Sequence, residues 1–378
     1  MAATAARLLG PRVRAGVVIR AGRAPNGDAP SALETFVGSH PVPTPDSERA
    51  GRRALAIADA LAAEESLLVL LSGGASALMA VPADGLTLDD KRRTTERLLR
   101  AGADIQALNA VRKHLSSIKG GWLAARTRGP SRTLAVSDVV GDDLSVIASG
   151  PTVPDTSTFA DALDVLRRFG GVDAYPTAVV ARLEKGDRGE VPETPKPGDA
   201  RLSRADAAVI GGRRDAMEGA AREAAARGYQ VVRLEDPVVG EARTTAPSHL
   251  RAVVARVAGV GRPVCVVSSG ETTVRVIGRG KGGRNQEFAL AAAEALASLG
   301  VPAAAASIGT DGVDGPTDAA GALVDATTIA RAHTAGLGPP GRYLDDNNSY
   351  AFFEALGDLI HTGPTDTNVG DLQVILFS

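Results

Sequence analysis

The most chemically suggestive stretch of this 378-residue chain is a basic, glycine-rich loop just before a predicted helix. Its glycines would let backbone N–H groups approach a ligand closely: Gly278, Gly280, Gly282 and Gly283. Arg284 adds positive charge, and a helix beginning near Asn285 would point the positive end of its dipole at the same place. Glycine, cation and helix N-terminus together favour the binding of a phosphate ester.

A second loop follows the apolar run Leu67–Leu71, which predicts a buried strand. In open α/β sheets, ligands bind outside the carboxyl ends of the strands. The residues at that position are hydroxyl-bearing or glycine and resemble an anion cradle: Ser72, Gly73, Gly74 and Ser76. The structural alternative is a tight turn in which Ser76 caps the next helix.

Carboxylates follow two other predicted strands. Asp138 comes after Thr133–Val136, where a carboxylate can hold Mg²⁺ or take a proton from a hydroxyl. Asp311 and Asp314 lie in the glycine-rich loop after Ala303–Ile308, and such a loop can coordinate a hard cation through oxygen. The spacing excludes an EF-hand, and a turn-dense surface loop is the alternative.

A predicted helix over Ile105–Arg126 carries several cations, among them Lys113 and Lys119. Helical spacing would place Arg112, Ser116 and Lys119 on one face. Basic helix faces are usually solvated, so this pattern alone predicts little.

Composition describes an ordinary globular protein, with 44% hydrophobic and 23% charged residues. A formal charge of −2 argues against nucleic acid as a partner, and no apolar run approaches membrane-spanning length. The single cysteine, Cys265, is predicted to be a buried strand residue, and the five histidines lack zinc-site spacing. We therefore expect a cytoplasmic enzyme that acts on a small molecule, and a homodimer is compatible with the sequence.

Strand-like and helix-like runs alternate along most of the chain, which predicts an α/β fold with mostly parallel sheets. The length suffices for two domains. The proline-rich stretch Lys185–Arg204 is the predicted linker, giving domains over residues 1–200 and 201–378. The chain opens in a predicted helix, Met1–Leu9, with no strand before it.

Eight motifs occur in order along nearly the whole chain and together resemble one family closely. They are LSGGASAL (71–78), NAVRKHLSSIKGG (109–121), SDVVGDDLSVIASGP (137–151), GETT (270–273), GGRNQE (282–287), GTDGVDGPTDAAG (309–321), NNSY (347–350) and GPTDTN (363–368). The set resembles the class II glycerate kinases, the glycerate 2-kinases that carry a MOFRL domain. This resemblance implies phosphorylation of D-glycerate at its 2-hydroxyl, with ATP and Mg²⁺, giving 2-phosphoglycerate and ADP. It also implies a Rossmann-like N-terminal domain with a mostly parallel sheet, a C-terminal MOFRL α/β domain, and an active site in the cleft between them.

The resemblance also implies roles for particular residues. Arg284 would stabilise the charge of the transferring phosphoryl group, as a rigid guanidinium can. Asp138 and Asp311 would coordinate Mg²⁺ or take the substrate proton, with Asp314 as a further metal ligand. The remaining candidates would hold the nucleotide or the carboxylate of glycerate: Ser72, Gly73, Gly74, Ser76, Lys113, Lys119, Glu271, Gly282, Gly283 and Asn285.

Two departures from the family pattern leave alternatives open. The family's catalytic lysine, in a Gly-Lys-Ala motif, would fall just upstream of Met1, and the family's Asn near Arg213 is replaced. We expect a misplaced start site; otherwise the chain would be a catalytically impaired, ligand-binding member. The competing enzyme class is an NAD(P)H-dependent hydroxypyruvate reductase, although the dinucleotide fingerprint near Gly278 is incomplete.

Overall fold

A computed structural model describes residues 1–22 and 32–378 and divides them into two compact units. The first comprises residues 1–135 and 142–210, and the second comprises residues 136–141 and 211–378. Helices and strands alternate in both, so the α/β class is confirmed. The division into domains over 1–200 and 201–378 stays a prediction. No described helix is both long and apolar enough to cross a bilayer.

The first unit contains the helices and strands that begin before residue 211. The helices are α1 (Ala2–Leu9), α2 (Pro45–Ala60), α3 (Ala75–Leu78), α4 (Leu88–Arg100), α5 (Ile105–His114), α6 (Trp122–Ala125), α7 (Phe159–Arg168) and α8 (Thr177–Asp187). The strands are β1 (Gly16–Ala21), β2 (Leu33–Gly38), β3 (Leu67–Leu71), β4 (Ser131–Val136) and β5 (Ala205–Gly211).

Sheets in the first unit are short, and their described pairings are parallel. β1 pairs with β2, and β3 lies beside β4 in a sheet of order β3-β4-β5. A separate helical core forms where α4, α5, α7 and α8 pack together around side chains such as Leu108, Phe159 and Leu183. Apolar residues at helical spacing on each of these helices explain why they bury one face.

Two predictions for the first unit are wrong. The predicted helix Ile105–Arg126 ends at His114, because Ser116 and Ser117 turn to donate hydrogen bonds to the carbonyls of Val81 and Pro82. The predicted linker Lys185–Arg204 packs inside the unit, since the Thr194 hydroxyl donates to the buried Asp155 at 3.0 Å.

The second unit contains the remaining elements. The helices are α9 (Arg213–Ala226), α10 (Ala242–Arg256), α11 (Arg284–Ala297), α12 (Thr328–Thr334), α13 (Pro340–Asp345) and α14 (Ser349–Leu356). The strands are β6 (Gln230–Arg233), β7 (Val238–Glu241), β8 (Val264–Thr273), β9 (Ala303–Gly309), β10 (Gly321–Asp325), β11 (Leu359–Ile360) and β12 (Asp371–Phe377).

The sheet of the second unit is mixed. Its order is β11-β10-β9-β12-β8-β6, with β7 also pairing with β8. Only β6 and β7 run parallel to their neighbour, whereas the pairings from β8 through β12, β9 and β10 to β11 are antiparallel. The expectation of mostly parallel sheets therefore does not extend to this unit.

β12 lies in the middle of this sheet and sends alternate side chains into two cores. Ile375 and Phe377 face the core formed with α10 and α11, whereas Val374 packs on the other side with Met217 of α9. Period-two alternation is what a strand covered on both faces requires. Cys265 of β8 is fully buried on the α9 side, which confirms its predicted place in a buried strand.

Candidate functional site

The register of the central strands places two polar rows near one end of the second sheet. Gln373 of β12 pairs with Ser268 of β8 and with Ser307 of β9. One step further along the same face, Asp371 lies between Gly270 and Gly309. The rows before these are apolar, so polar groups collect beside the N-terminus of α11.

Arg284 is the first residue of α11 and is held by two carboxylates. Its Nε lies 3.0 Å from Asp371 Oδ1, and its terminal nitrogen Nη1 lies 3.0 Å from Glu271 Oε1. Burial raises the pKa of Asp371, and the Arg284 guanidinium opposes this shift. Partial burial acts to lower the pKa of Arg284, but the two carboxylates raise it overall. The guanidinium therefore stays charged in a fixed orientation.

Asn285 is a positioning residue for the Arg284–Asp371 pair. Its amide Nδ2 donates to Asp371 Oδ1 at 2.9 Å, and its Oδ1 accepts from the Ser307 hydroxyl at 2.7 Å. Both ends of this predicted cofactor-binding side chain are thus occupied by protein groups. The bonds link the helix to two neighbouring strands.

Asp314 caps the N-terminus of α11. Its two oxygens accept from the backbone N–H groups of Asn285 and Gln286, at 3.0 and 2.8 Å. Burial raises its pKa to about 6 even though these bonds favour the carboxylate. A carboxylate here compensates the positive end of the helix dipole, so Asp314 is a helix cap, and its role as a metal ligand stays a prediction.

The glycine-rich loop binds protein rather than leaving its backbone open. The amides of Ile277 and Gly278 donate to Asn347 Oδ1, at 2.8 and 2.9 Å. The N–H groups of residues 279, 280 and 281 donate to Asp346 or Asn348. The prediction that the first part of this loop cradles a phosphate through its amides is therefore wrong.

Close packing explains the glycines of this loop. A Cβ on Gly280 would lie 2.3 Å from Asn348 Cβ, and one on Gly282 would lie 2.3 Å from Ser349 Oγ. A Cβ on Gly283 would lie 2.3 Å from Asp314 Cγ, beside the capped end of α11. These contacts leave no room for a side chain at any of the three positions.

The other predicted carboxylates are connected by the segment before β12. Asn368 Nδ2 donates to Asp138 Oδ2 at 3.1 Å, and Thr365 donates its backbone N–H to the carbonyl of Asp311. The Asp311 side chain accepts from the Val313 N–H at 3.1 Å. Over residues 1–22 and 32–378, the structure contains no group of three or more His, Cys, Asp or Glu side chains that could hold a metal.

A separate polar cluster lies in the first unit, at the predicted anion cradle. Lys119 Nζ donates to the carbonyl and the hydroxyl of Ser76, at 2.7 and 2.5 Å. The Ser76 hydroxyl lies 2.9 Å from the Ser149 hydroxyl, which in turn donates to Asn109 Oδ1 at 2.9 Å. A hydroxyl pair, an amide and an ammonium are thereby brought together.

The backbone beside this cluster is strained. Ala148 and Ser149 have φ values of 54° and 60°, a left-handed conformation that non-glycine residues seldom adopt. Gly120 and Gly121 donate to the carbonyls of Ser149 and Gly150, and so hold the turn in place. Strain of this kind persists only where the surroundings enforce it, and it often marks a functional site.

Other sequence-predicted residues of the first unit lie apart from this cluster or contribute little to it. Lys113 forms a buried ion pair with Asp155 at 3.1 Å, which occupies the predicted nucleotide-binding ammonium. Ser72 is exposed, whereas Gly73 and Gly74 are partly buried. Because α5 ends at His114, the predicted shared helix face of residues 112, 116 and 119 does not exist.

Sequence reasoning missed three residues of these sites. Asp371 carries no local signal beyond a glycine before an alternating strand, and its role depends on a partner 87 positions away. Asn109 and Ser149 both lie in motifs that were recognised, but their spacing does not predict that they meet.

Comparison with known proteins places this arrangement. A family model described as "Domain of unknown function (DUF4147)" matches residues 1–184, and the "MOFRL family" model matches residues 264–371. A D-glycerate 2-kinase from Thermotoga maritima is 39% identical over 99% of this chain and 87% of its own length. The chain belongs to the glycerate 2-kinase family.

Other relatives match a similar share of the chain but carry different names. A glycerate 2-kinase from Pyrococcus horikoshii is 39% identical over 91% of this chain and 78% of its own length. A putative hydroxypyruvate reductase from Agrobacterium vitis is 42% identical over 91% of this chain and 77% of its own. The crystal structure of a Thermotoga maritima glycerate kinase matches with a TM-score of 0.88 at 38% identity, covering 100% of this chain and 88% of that one.

Proposed function

We propose that this chain is a glycerate 2-kinase that transfers the γ-phosphoryl group of ATP to the 2-hydroxyl of D-glycerate. The observation that carries the proposal is the Arg284 guanidinium, fixed by the buried Asp371 in a member of this family. Family membership supports a kinase that uses a nucleotide and a small-molecule substrate. ATP, Mg²⁺ and the D-isomer are the finer parts of the proposal.

Arg284 is suited to phosphoryl transfer because the chemistry needs positioned positive charge more than covalent help. A guanidinium whose Nε is bonded to Asp371 keeps its terminal nitrogens in one plane, and one of these bonds Glu271. Glu271 is 44% exposed, so it can yield its partner to an incoming phosphate oxygen more readily than Asp371 can. Arg284 would then stabilise charge on the equatorial oxygens.

Asp138 and Asp311 are the residues that would hold Mg²⁺. Carboxylate oxygens suit this hard cation, which usually takes one or two carboxylates, phosphate oxygens and water rather than a full protein cage. The described residues contain no cluster of three or more such ligands, which is compatible with a Mg²⁺ ion held by only one or two carboxylates. When bound, the ion would neutralise phosphate charge; holding it would be the task of these two side chains.

The cluster around Ser76 and Lys119 would bind an anionic part of a substrate. Both hydroxyls and the ammonium can donate hydrogen bonds to oxygen. The left-handed turn at Ala148–Ser149 supports the proposal, because it fixes the Ser149 hydroxyl next to Ser76. We propose further that the protein is cytoplasmic, does not bind nucleic acid and can form a homodimer.

The test is a pair of assays on the same preparation. Incubation with ATP, Mg²⁺ and D-glycerate should yield ADP and a glycerate phosphorylated at position 2, identified by phosphorus NMR. Arg284→Ala should remove most of this activity, whereas the exposed, helix-surface Arg222→Ala should retain it. Failure of the wild-type chain to consume ATP would contradict the proposal.

A second candidate function is reduction of hydroxypyruvate, supported by the names of the Agrobacterium vitis relatives. Oxidation of NADH or NADPH in the presence of hydroxypyruvate, without ATP turnover, would favour it. Binding of D-glycerate without either reaction would instead favour the ligand-binding alternative.

A further inference from the structure

The first unit buries three cationic side chains without giving any of them a carboxylate partner. Lys91 is 7% exposed and Lys119 is 2% exposed, while Arg112 is partly buried. Within the described part of the chain, none of the three forms an ion pair, although the neighbouring Lys113 does. Buried charges in proteins are usually paired, so this set requires an explanation.

Shared partners bring these side chains to one region: Lys91 and Ser116, which lies three residues before Lys119, donate to the same carbonyl, that of Val81. Arg112 lies about one helical turn after Asn109 on α5. Electrostatic effects accord with this placement. Burial, followed by the charges of Arg112 and Arg182, lowers the pKa of Lys91 to about 7. Burial also lowers the pKa of Lys119 well below its usual range, with Lys91 and Arg112 adding to the shift. The charged groups acting on Lys91 come from α2, α5 and α8, and the only acid among them is Glu48.

Hydrogen-bond donors around these cations are incompletely used. The Lys91 ammonium makes one long bond, 3.4 Å to the carbonyl of Val81, and that carbonyl also accepts from Ser116 at 3.0 Å. Asn109 is 4% exposed, and its Nδ2 has no partner among the described residues. Its other end belongs to the hydrogen-bonded chain that includes Ser149, Ser76 and Lys119.

The number of charges indicates the class of ligand. A single carboxylate carries one negative charge and two oxygens, too few to hold Arg112 and both lysines together in their charged forms. A phosphate dianion carries about two charges at neutral pH and three oxygens that accept from several donors at once. Without a ligand, burial favours the neutral forms of Lys91 and Lys119, and a bound dianion would favour their ammonium forms beside Arg112.

We propose that Lys91, Arg112 and Lys119 form a binding site for a phosphate dianion, with Asn109 as a neutral donor. The inference deepens the proposed kinase function and rests on it for the source of the ligand. That source is either a phosphate group of the nucleotide or the phosphate of the phosphorylated product. Lys91 and Arg112 would become binding residues, a role that their sequence positions do not predict.

The experiment measures binding of inorganic phosphate to the full chain by isothermal titration calorimetry. Lys91→Met keeps the length of the side chain and removes the charge; Lys185→Met, at an exposed position on α8, is the matched control. Wild type and control should bind phosphate saturably, and Lys91→Met should weaken binding by about tenfold to a hundredfold. Equal affinity in all three proteins would overturn the proposal.

Two further readouts separate this role from a merely structural one. At pH 8, where inorganic phosphate is already mostly the dianion and Lys91, with a pKa of about 7, is mostly neutral, phosphate binding should take up protons. Lys91→Met should take up about one proton fewer than wild type, measured in buffers of different ionisation enthalpy. Without phosphate, Lys91→Met should melt at a higher temperature than wild type, because an unpaired buried charge is removed. The proposal would be contradicted if Lys91→Met melted at a lower temperature than wild type in phosphate-free buffer and took up as many protons as wild type on binding phosphate.

Competition identifies the source of the phosphate. Displacement of inorganic phosphate by ADP supports a nucleotide site, and displacement by 2-phosphoglycerate supports a product site. Displacement by D-glycerate or acetate as effective as that by sulfate would overturn the phosphate assignment in favour of a carboxylate site. If the chain binds phosphate through Lys91 but has no kinase activity, only the proposed function is contradicted. If the chain is an active kinase and Lys91→Met leaves phosphate affinity unchanged, only this inference is contradicted.

Discussion

Asp371→Asn should damage catalysis more than it damages the fold. The substitution keeps the size of a side chain that is 0% exposed but removes the charge that holds Arg284 Nε at 3.0 Å. A hydrogen bond to a charged group contributes about 1.5–3 kcal/mol. Two effects offset this loss. Arg284 is 30% exposed and keeps its bond to Glu271. Removing the Asp371 charge also ends the desolvation cost of that carboxylate and its repulsion with Asp314. We therefore expect a loss of only about 1–2 kcal/mol in the free energy of unfolding.

The expected loss in kcat is about a hundredfold, because displacement of a charge-stabilising group by about 1 Å has effects of that size. Urea unfolding gives the stability change, and steady-state ATP turnover normalised to the folded fraction gives kcat. Asp206→Asn, which breaks an exposed ion pair with Arg132 in the first unit, is the matched control and should change neither quantity appreciably. Wild-type kcat in Asp371→Asn, or a loss explained entirely by unfolded protein, would refute the reasoning.

Four other predictions concern stability. Gly280→Ala should destabilise the fold by more than 1 kcal/mol, because the new Cβ would lie 2.3 Å from Asn348 Cβ. Gly219→Ala in α9 meets nothing within 4 Å and should stabilise it by about 1 kcal/mol, and thermal melts of both variants decide. Asp314→Ala should cost about 1–2 kcal/mol in urea unfolding through loss of the α11 cap, and an unchanged midpoint would contradict that role. The pKa of Lys91 is about 7 in the folded protein and 10.5 in its ordinary, unfolded state. Between pH 7 and pH 10.5, Lys91 is therefore protonated in the unfolded chain and mostly neutral in the folded protein. Wild-type stability should rise with pH across that window, and parallel pH profiles for wild type and Lys91→Met would contradict the shift.

Local sequence patterns predicted where helices and strands begin better than they predicted which residues those helices and strands contact. The apolar run Leu67–Leu71 coincides with β3, and the helix predicted near Asn285 begins at Arg284. The helix over Ile105–Arg126 was overextended, because its end at His114 depends on carbonyls of residues 81 and 82 rather than on a nearby breaker. Periodicity cannot register a contact of that kind.

The candidate sites depend on long-range pairing. Arg284 was identified from its loop, but its main partner Asp371 is set by the register of β12 against β8 and β9. The glycines of the same loop correctly predicted that another group packs closely against the backbone. That group is not the expected phosphate but the segment that contains Asp346 and Asn348. Glycine indicates that something comes close and carries no information about what it is.

Chemical rescue tests the central claim most directly, namely that the Arg284 guanidinium stabilises the transferring phosphoryl group. In Arg284→Ala, the rate of ADP formation with D-glycerate should fall by about a thousandfold or more and should recover partly when millimolar guanidinium chloride is added. Sodium chloride at the same ionic strength should give no recovery. An Arg284→Ala protein that phosphorylates D-glycerate at the wild-type rate would contradict the account.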